Sequence, residues 1–210
     1  MCGRYKVSTP GDELWETFDV HGDNMPPLVA RYNVAPTDRV PVIRSLHHGE
    51  LLRWGIKLPN PKAAGFNVRV ESLGAPFYRD SIQGRRCLIL ADGFYEWKAL
   101  VEAKQPYLIQ RQDKKPFAFA GLWDKVTLRN GETVDACAIL TTTPRGVMPQ
   151  VHDRMPVILR PEHYEAWLDP KSPYKALVEP DADELELIKV SPLVNSVKND
   201  GPELIKPVSA

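Results

Sequence analysis

Apolar residues occur along the chain in short runs, and turn residues separate one run from the next. Short runs rich in β-branched and aromatic residues predict strands. Strands are predicted at residues 40–44, 51–54, 87–91, 94–98, 107–110, 117–122, 134–141, 156–159 and 185–190. Gly and Pro are scattered along the whole chain rather than gathered in a linker, so the sequence indicates no domain boundary.

Helices are predicted at fewer places. Thr9 as N-cap, Pro10 at the first helical position and two acidic residues in the first turn are typical of a helix start. Further helices are predicted at residues 75–83, 162–168 and 174–178. Many short strands with few helices predict an α+β fold, with one compact domain over residues 1–210. We expect a barrel-like sheet of mostly antiparallel strands with peripheral helices.

One segment alternates polar and apolar residues and places Asn67, Arg69 and Glu71 on one strand face. An ordinary solvated strand face explains this spacing as well as a functional site does. The adjacent His47 and His48 would point in opposite directions on a strand, so we expect them in a surface turn.

Two further segments carry ionisable residues beside apolar ones. Glu96 lies between aromatic residues, and His152, Asp153 and Arg154 directly precede a predicted strand. Such groups lower stability when buried, unless they are paired or serve a site. Two structural interpretations stay open: Glu96 as the partner of an arginine, and His152 as a turn residue bonded to Asp153.

Composition narrows the possible functions. Hydrophobic residues at 43% and charged residues at 26% of 210 are values typical of a globular protein with a substantial core. The 27 Lys and Arg residues balance 27 Asp and Glu residues, which excludes a strongly basic nucleic-acid binder. Any DNA contact must therefore come from a local cluster of arginines. The sequence contains no run of about 18 apolar residues and no signal-peptide pattern, so we expect a cytoplasmic protein.

Three widely spaced cysteines fit neither a disulfide framework nor a zinc site, and we expect no metal or other cofactor. Cys87 and Cys137 lie inside apolar runs and are predicted to be inert core residues. Cys2 has no such run around it. It is therefore the candidate reactive thiol.

Short motifs along the chain are similar, in order, to those of one family. They are Met-Cys-Gly-Arg (1–4), Arg-Tyr-Asn-Val-Ala-Pro-Thr (31–37), Trp-Gly (54–55), Asn-Val-Arg-Val-Glu (67–71), Arg-Cys-Leu-Ile-Leu-Ala-Asp-Gly-Phe-Tyr-Glu-Trp (86–97), Leu-Thr-Thr-Thr-Pro (140–144), His-Asp-Arg-Met-Pro-Val-Ile-Leu (152–159) and a last segment at 194–208. In these motifs the chain resembles the SRAP family, the SOS-response-associated peptidase-like proteins, over essentially its whole length.

The resemblance implies a protein that shields abasic sites in single-stranded DNA through a covalent DNA–protein cross-link. By motif position, Cys2 would be the nucleophile once Met1 is removed, and Asn67, Glu96 and His152 would form the catalytic shell. Three arginines would hold phosphates: Arg4, Arg69 and Arg154. We expect a monomer, associated with the nucleoid when bound to DNA, or nuclear if the source is eukaryotic.

The residue types suit this chemistry. An N-terminal cysteine offers an α-amine with a reference pKa of about 7.7–8.0, which can attack an aldehyde near neutral pH to form a Schiff base. The neighbouring thiol then closes a thiazolidine ring, an intramolecular step favoured by proximity. His152 and Glu96 can move protons, and Asn67 can hydrogen-bond the adduct. Three aromatic residues, Trp54, Trp97 and Phe77, are candidates either to stack on bases or to fill the core.

Two other functions use the same residues. In the first, Cys2 is the nucleophile of an N-terminal-nucleophile peptidase or hydrolase, with its own amine as the base. In the second, the protein is a non-covalent reader of modified cytosine and needs no reactive thiol. Formation of one stable adduct per protein distinguishes the cross-linking function from both.

Overall fold

The computed structural model describes residues 2–56 and 65–208, and thirteen strands and three α-helices lie in these ranges. The strands are β1 (Arg4–Val7), β2 (Arg31–Val34), β3 (Arg39–Ser45), β4 (His48–Trp54), β5 (Asn67–Arg69), β6 (Arg86–Ala91), β7 (Gly93–Ala99), β8 (Lys104–Arg111), β9 (Phe117–Thr127), β10 (Thr133–Thr142), β11 (Met155–Pro156), β12 (Ile158–Leu159) and β13 (Leu185–Lys189). The helices are α1 (Gly11–Thr17), α2 (Arg79–Gly84) and α3 (Tyr164–Leu168). None of the helices in the described ranges is long and apolar enough to cross a bilayer.

The larger sheet closes on itself. Strands β4, β3, β6 and β9 follow one another in the sheet, and β10 pairs with both β4 and β9. Strand β10 runs parallel to β4 and β5, and the other pairings in the described ranges are antiparallel. The predicted α+β class, with a barrel-like sheet of mostly antiparallel strands and peripheral helices, is confirmed.

Burial explains why these runs form central strands. Every residue of β6 is buried, as expected for a strand with neighbours on both sides and both faces covered. Cys87 on β6 and Cys137 on β10 have no exposed surface, so the prediction that they are core residues is confirmed. In the barrel interior, the ring of Tyr5 packs edge-on against Trp54 and Phe119, at centroid distances of 5.1 and 5.8 Å.

The smaller sheet has five antiparallel strands in the order β13, β8, β7, β1, β2. One face packs on the barrel. The other face carries Tyr95 and Leu108, which form a second apolar cluster with Val190, Val194 and Leu204. The C-terminal segment, residues 190–205, therefore covers the outer face of this sheet.

Asn33 on β2 fastens the C-terminal segment to the smaller sheet. Its Nδ2 donates to the carbonyl oxygens of Val194, Ser196 and Asn199 at 3.2, 3.0 and 2.8 Å. Close by, the Asp200 carboxylate accepts from the backbone N–H groups of β2. The position of the C-terminal segment is thus set by side chains that lie far away in the sequence.

Replacing Asn33 with alanine should lower the free energy of unfolding by about 2–3 kcal/mol, because a buried amide and its three hydrogen bonds to the C-terminal segment are lost. Asn33 itself is only 1% exposed. Urea denaturation of the variant and the wild type measures the difference. The control is Asn130→Ala in the exposed β9–β10 turn, where we expect a change within about 0.5 kcal/mol. Equal effects of the two substitutions would contradict the anchoring role.

The structure corrects the predicted start of the first helix. Pro10 occupies the N-cap position of α1, and no side chain caps this helix. The predicted cap, Thr9, instead donates its N–H and its hydroxyl to the buried Asp92, at 2.8 and 2.9 Å. A buried carboxylate needs several donors, and this need outweighs the capping of a short helix.

Three other predicted elements also differ. The predicted strand at 156–159 is divided into β11 and β12, because the chain crosses there from β10 to β9. The predicted helix at 174–178 is only a 3-10 turn, Tyr174–Ala176. Strand β5 ends at Arg69, so Glu71 lies in a following 3-10 turn rather than on the strand face.

Candidate active site

Cys2 lies immediately before β1 and beside β7. Strand β1 pairs with β7 through Arg4 opposite Tyr95 and Tyr5 opposite Phe94. Continuing this register toward the N-terminus brings Cys2 level with the segment that contains Glu96. The Cys2 side chain has no exposed surface, and its thiol donates to the carbonyl oxygen of Arg4 at 3.7 Å. A cysteine without an apolar run around it in the sequence is therefore enclosed by the fold.

Asn67 reaches the same place from the barrel. Its strand, β5, pairs with β10, and the Asn67 amide is 7% exposed. Its Nδ2 donates to the carbonyl oxygen of Cys2 at 2.8 Å, while Oδ1 has no hydrogen-bond partner among the described residues. The amide thus holds the backbone of Cys2 and keeps one buried acceptor for another donor.

Glu96 and His152 complete the group. Glu96 on β7 is 2% exposed, and its Oε2 lies 4.0 Å from Nε2 of His152. Nδ1 of His152 lies 2.9 Å from Oδ1 of Asp153 and 3.0 Å from the backbone nitrogen of Arg154. These contacts orient the ring so that Nε2 faces Glu96. Four predicted catalytic residues from distant parts of the chain therefore meet in one place.

Burial sets the protonation states at the site. Burial raises the pKa of the Cys2 thiol well above its usual value, and the Glu96 carboxylate acts in the same direction. Burial also raises the pKa of Glu96, and the attraction of His152 only partly opposes this. The thiol is thus held in its neutral form, and Glu96 is better able to hold a proton than an exposed glutamate is.

Replacing Glu96 with glutamine should raise the free energy of unfolding near pH 7. Since the pKa of Glu96 is raised in the folded chain, the stability its proton contributes is complete below about pH 4.3 and is lost as the pH rises through the folded pKa. Glutamine keeps the shape and cannot ionise. The variant should therefore match the wild type near pH 4 and melt at a higher temperature near pH 7.

Thermal unfolding at both pH values checks this expectation. The control is Glu186→Gln, because the pKa of Glu186 is lowered by hydrogen bonds from Gln110 and Lys114. Near pH 7, the Glu186→Gln variant should therefore melt at a lower temperature than the wild type. A Glu96→Gln variant no more stable than the wild type near pH 7 would contradict the burial argument.

An open cavity of about 440 Å³ lies against Glu96 and His152 of this group. Its walls are Glu96, Trp97, Lys104, His152 and Asn195. The indole Nε1 of Trp97 donates to Oδ1 of Asn195 at 2.7 Å, so the C-terminal segment fixes the ring at the rim. Trp97 is half-buried and lines the cavity, and its contact with a base stays a prediction.

The three predicted phosphate-binding arginines have different environments. Arg4 donates to Oδ1 of Asn33 and to the carbonyl of Val194, at 3.0 and 2.9 Å. Arg154 forms a bidentate pair with Glu71 at 2.7 and 2.9 Å. Both guanidinium groups therefore already bind protein groups. Arg69, at the end of β5, is exposed.

The other two aromatic candidates, Trp54 and Phe77, differ in their exposure to solvent. Trp54 has no exposed surface, and its Nε1 donates to the carbonyl of Phe66 at 2.9 Å. Of the two roles that the sequence leaves open for Trp54, the structure therefore supports the one in the core. Phe77 is 47% exposed beside Tyr78 and is not among the residues that line the cavity.

Two residues of the cavity wall were not predicted as functional. Asn195 lies in the last family-like motif, but its sequence alone indicates no role. Lys104 begins β8, after the hairpin that follows Trp97, and only the pairing of β7 with β8 brings it to the cavity. No local pattern in the sequence distinguishes either residue from its neighbours.

The fold and site are those of an α+β protein whose second residue, a buried cysteine, is surrounded by an amide, a carboxylate and an imidazole. The family model described as SOS response associated peptidase (SRAP) matches residues 1–197, and the chain belongs to this family. The predicted resemblance is confirmed.

Named relatives cover nearly the whole chain. The abasic site processing protein YoqW of Bacillus subtilis is 39% identical, over 98% of this chain and 99% of its own length. The abasic site processing protein YedK of Escherichia coli is 30% identical, over 99% and 100%. A solved structure of a protein from Bacteroides thetaiotaomicron matches with a TM-score of 0.84 at 22% identity, over 99% and 100%. The last similarity concerns the fold.

Proposed function

We propose that this chain captures abasic sites in single-stranded DNA by a covalent bond to Cys2 after Met1 is removed. The observation that carries the proposal is the convergence of Cys2, Asn67, Glu96 and His152 beside one cavity. The relatives named abasic site processing proteins support the substrate. Met1 lies outside the described residues, and its removal is part of the proposal.

The first step is attack of the freed α-amine on the ring-opened aldehyde of the abasic sugar. The amine forms a carbon–nitrogen bond, and loss of one water gives the imine. His152 lines the cavity, and its imidazole can pass a proton to the sugar oxygen as the ring opens. Glu96, whose pKa burial raises, accepts the proton that the amine releases.

The second step closes the ring. The neutral Cys2 thiol adds to the imine carbon, so that a carbon–sulfur bond forms and the nitrogen gains the proton of the thiol. Closure removes the imine, which is the electron sink that would otherwise promote β-elimination and cut the DNA strand. The Nδ2 of Asn67 fixes the backbone of Cys2 during this step, and the free Oδ1 can accept from the ring N–H.

The N-terminal-nucleophile peptidase fits the site less well. Such an enzyme needs an activated thiol for the first attack, and burial that raises the pKa of Cys2 works against it. In the cross-linking reaction the amine attacks first, so a neutral thiol is suitable.

Intact-mass measurement after incubation with a single-stranded oligonucleotide that holds one abasic site tests the proposal. We expect a denaturant-stable species with the mass of one protein plus one DNA minus one water. The matched control is an oligonucleotide with a tetrahydrofuran in place of the abasic sugar, which has no aldehyde and should give no adduct. Absence of the adduct with the processed chain would overturn the proposal.

A further inference from the structure

Two of the three arginines expected to bind phosphate are held by protein groups. Arg4 is bound by Asn33 and by carbonyls of the C-terminal segment. Arg154 is bound by Glu71 and by the carbonyl of Thr141. A DNA phosphate would have to compete with these partners for the N–H groups of the two guanidinium groups.

Two cations near the site are not held in this way. Arg69 and Lys104 are both exposed. Within residues 2–56 and 65–208, neither Arg69 nor Lys104 forms a salt bridge. Lys104 also lines the cavity with Glu96 and His152.

We propose that Lys104 is a further DNA-binding residue, which binds a backbone phosphate next to the abasic nucleotide. This inference rests on the proposed function and names a contact at the same site. A lysine ammonium is a compact charge on a flexible stem, which suits a phosphate whose position varies with the sugar conformation. It also supplies a local positive charge to a chain whose net charge is zero.

The position of Lys104 suggests a path for the strand. Lys104 belongs to the smaller sheet, whereas Arg69 lies two residues after Asn67 on a strand of the barrel. Cys2 precedes β1 of the smaller sheet, and its carbonyl accepts from Asn67 of the barrel, so Cys2 lies where the two sheets meet. A single strand whose phosphates contact both cations passes over the reacting groups, with one phosphate on each side of the abasic sugar.

Lys98 provides a matched control. Lys98 and Lys104 are exposed residues of one hairpin, β7–β8. Lys104 pairs with Ala99 and shares its face of the hairpin with Trp97, whereas Lys98 pairs with Gln105 and shares its face with Glu96. Lys98 does not line the cavity. Neutralising either lysine changes the net charge equally, so a difference between the two variants isolates the contact.

The experiment measures non-covalent binding in the Cys2→Ala background, with a tetrahydrofuran-containing single strand, by fluorescence anisotropy at salt concentrations between about 50 and 200 mM. For Lys104→Gln we expect binding about 3- to 5-fold weaker at the lowest salt. The slope of log K against log salt should fall in magnitude by about 0.7, the value for one lost single-strand contact. Lys104→Arg should restore the affinity and the salt slope, and Lys98→Gln should change neither of these two quantities.

An unchanged salt slope in Lys104→Gln, or an equal change in Lys98→Gln, would overturn the inference. The measurement uses DNA without an aldehyde and a protein without the thiol, so its outcome does not depend on the adduct. If the wild-type chain formed no adduct while Lys104→Gln lowered the slope, the covalent function would fail and the contact would stand. If the wild-type chain formed the adduct but Lys104→Gln left the salt slope unchanged, the covalent function would stand and the Lys104 contact would fail.

Discussion

Replacing Cys2 with alanine will abolish the denaturant-stable adduct with abasic single-stranded DNA, lowering its yield by at least about 100-fold. The variant keeps the α-amine and can still form the imine, but no thiol can close the ring. The persisting imine acidifies the adjacent sugar carbon, so we expect cleaved strand in place of the adduct. Cys2→Ser should give an intermediate yield, because an oxygen ring forms less favourably.

A denaturing gel with end-labelled DNA resolves the adduct, the intact strand and the cleaved strand in one lane. The matched control is Cys87→Ala, since Cys87 is also a fully buried cysteine with a raised pKa but lies on a barrel strand. This control should keep the wild-type yield of adduct. Adduct formation by Cys2→Ala at the wild-type level would refute the assignment of Cys2.

Blocking the α-amine of Cys2 should have an effect of the same size while the thiol stays in place. A retained Met1 or an acetyl group converts the amine to an amide, which cannot form an imine. A thiol alone gives only a reversible hemithioacetal, which denaturation does not preserve. We therefore expect about 100-fold less adduct from the blocked chain than from the processed chain.

Intact mass determines the state of the N-terminus in each preparation, and the same gel determines the adduct yield. The comparison separates the aminothiol from the thiol as the reactive group. Equal yields from blocked and processed protein would show that the amine takes no part. A chain carrying an N-terminal tag serves as a second blocked form.

Strands with a distinct apolar run were predicted well, because the apolar residues of each run indicate that the strand is buried. β1 and β2 were missed, since their sequences, Arg-Tyr-Lys-Val and Arg-Tyr-Asn-Val, are half polar. They form strands because β1 pairs with β7 and β2 pairs with β1. The end of β5 was missed for a related reason. Glu71 leaves the strand to bind Arg154, a residue 83 positions further along the chain.

The site residues could be named from motifs, but their surroundings could not. Nothing local to Cys2 indicates that the fold encloses it or that the Asn67 amide holds its carbonyl. The sequence also does not show that Arg4 is occupied by the C-terminal segment. These are tertiary contacts between distant residues, and the spacing of neighbours along the chain does not encode them. The roles of the individual site residues, the single domain and the monomeric state stay predictions.

The contact between β1 and the C-terminal segment determines when the site becomes complete during synthesis. Arg4 binds the carbonyls of Val194 and Asn195, and Asn195 in turn holds Trp97 at the cavity rim. A ribosome adds about 5–20 residues per second, so about 10–40 seconds separate the synthesis of Cys2 from that of Asn195. During that interval the nascent chain has its cysteine but lacks one wall of the cavity. The complete site therefore exists only after the segment that contains Asn195 has been synthesised.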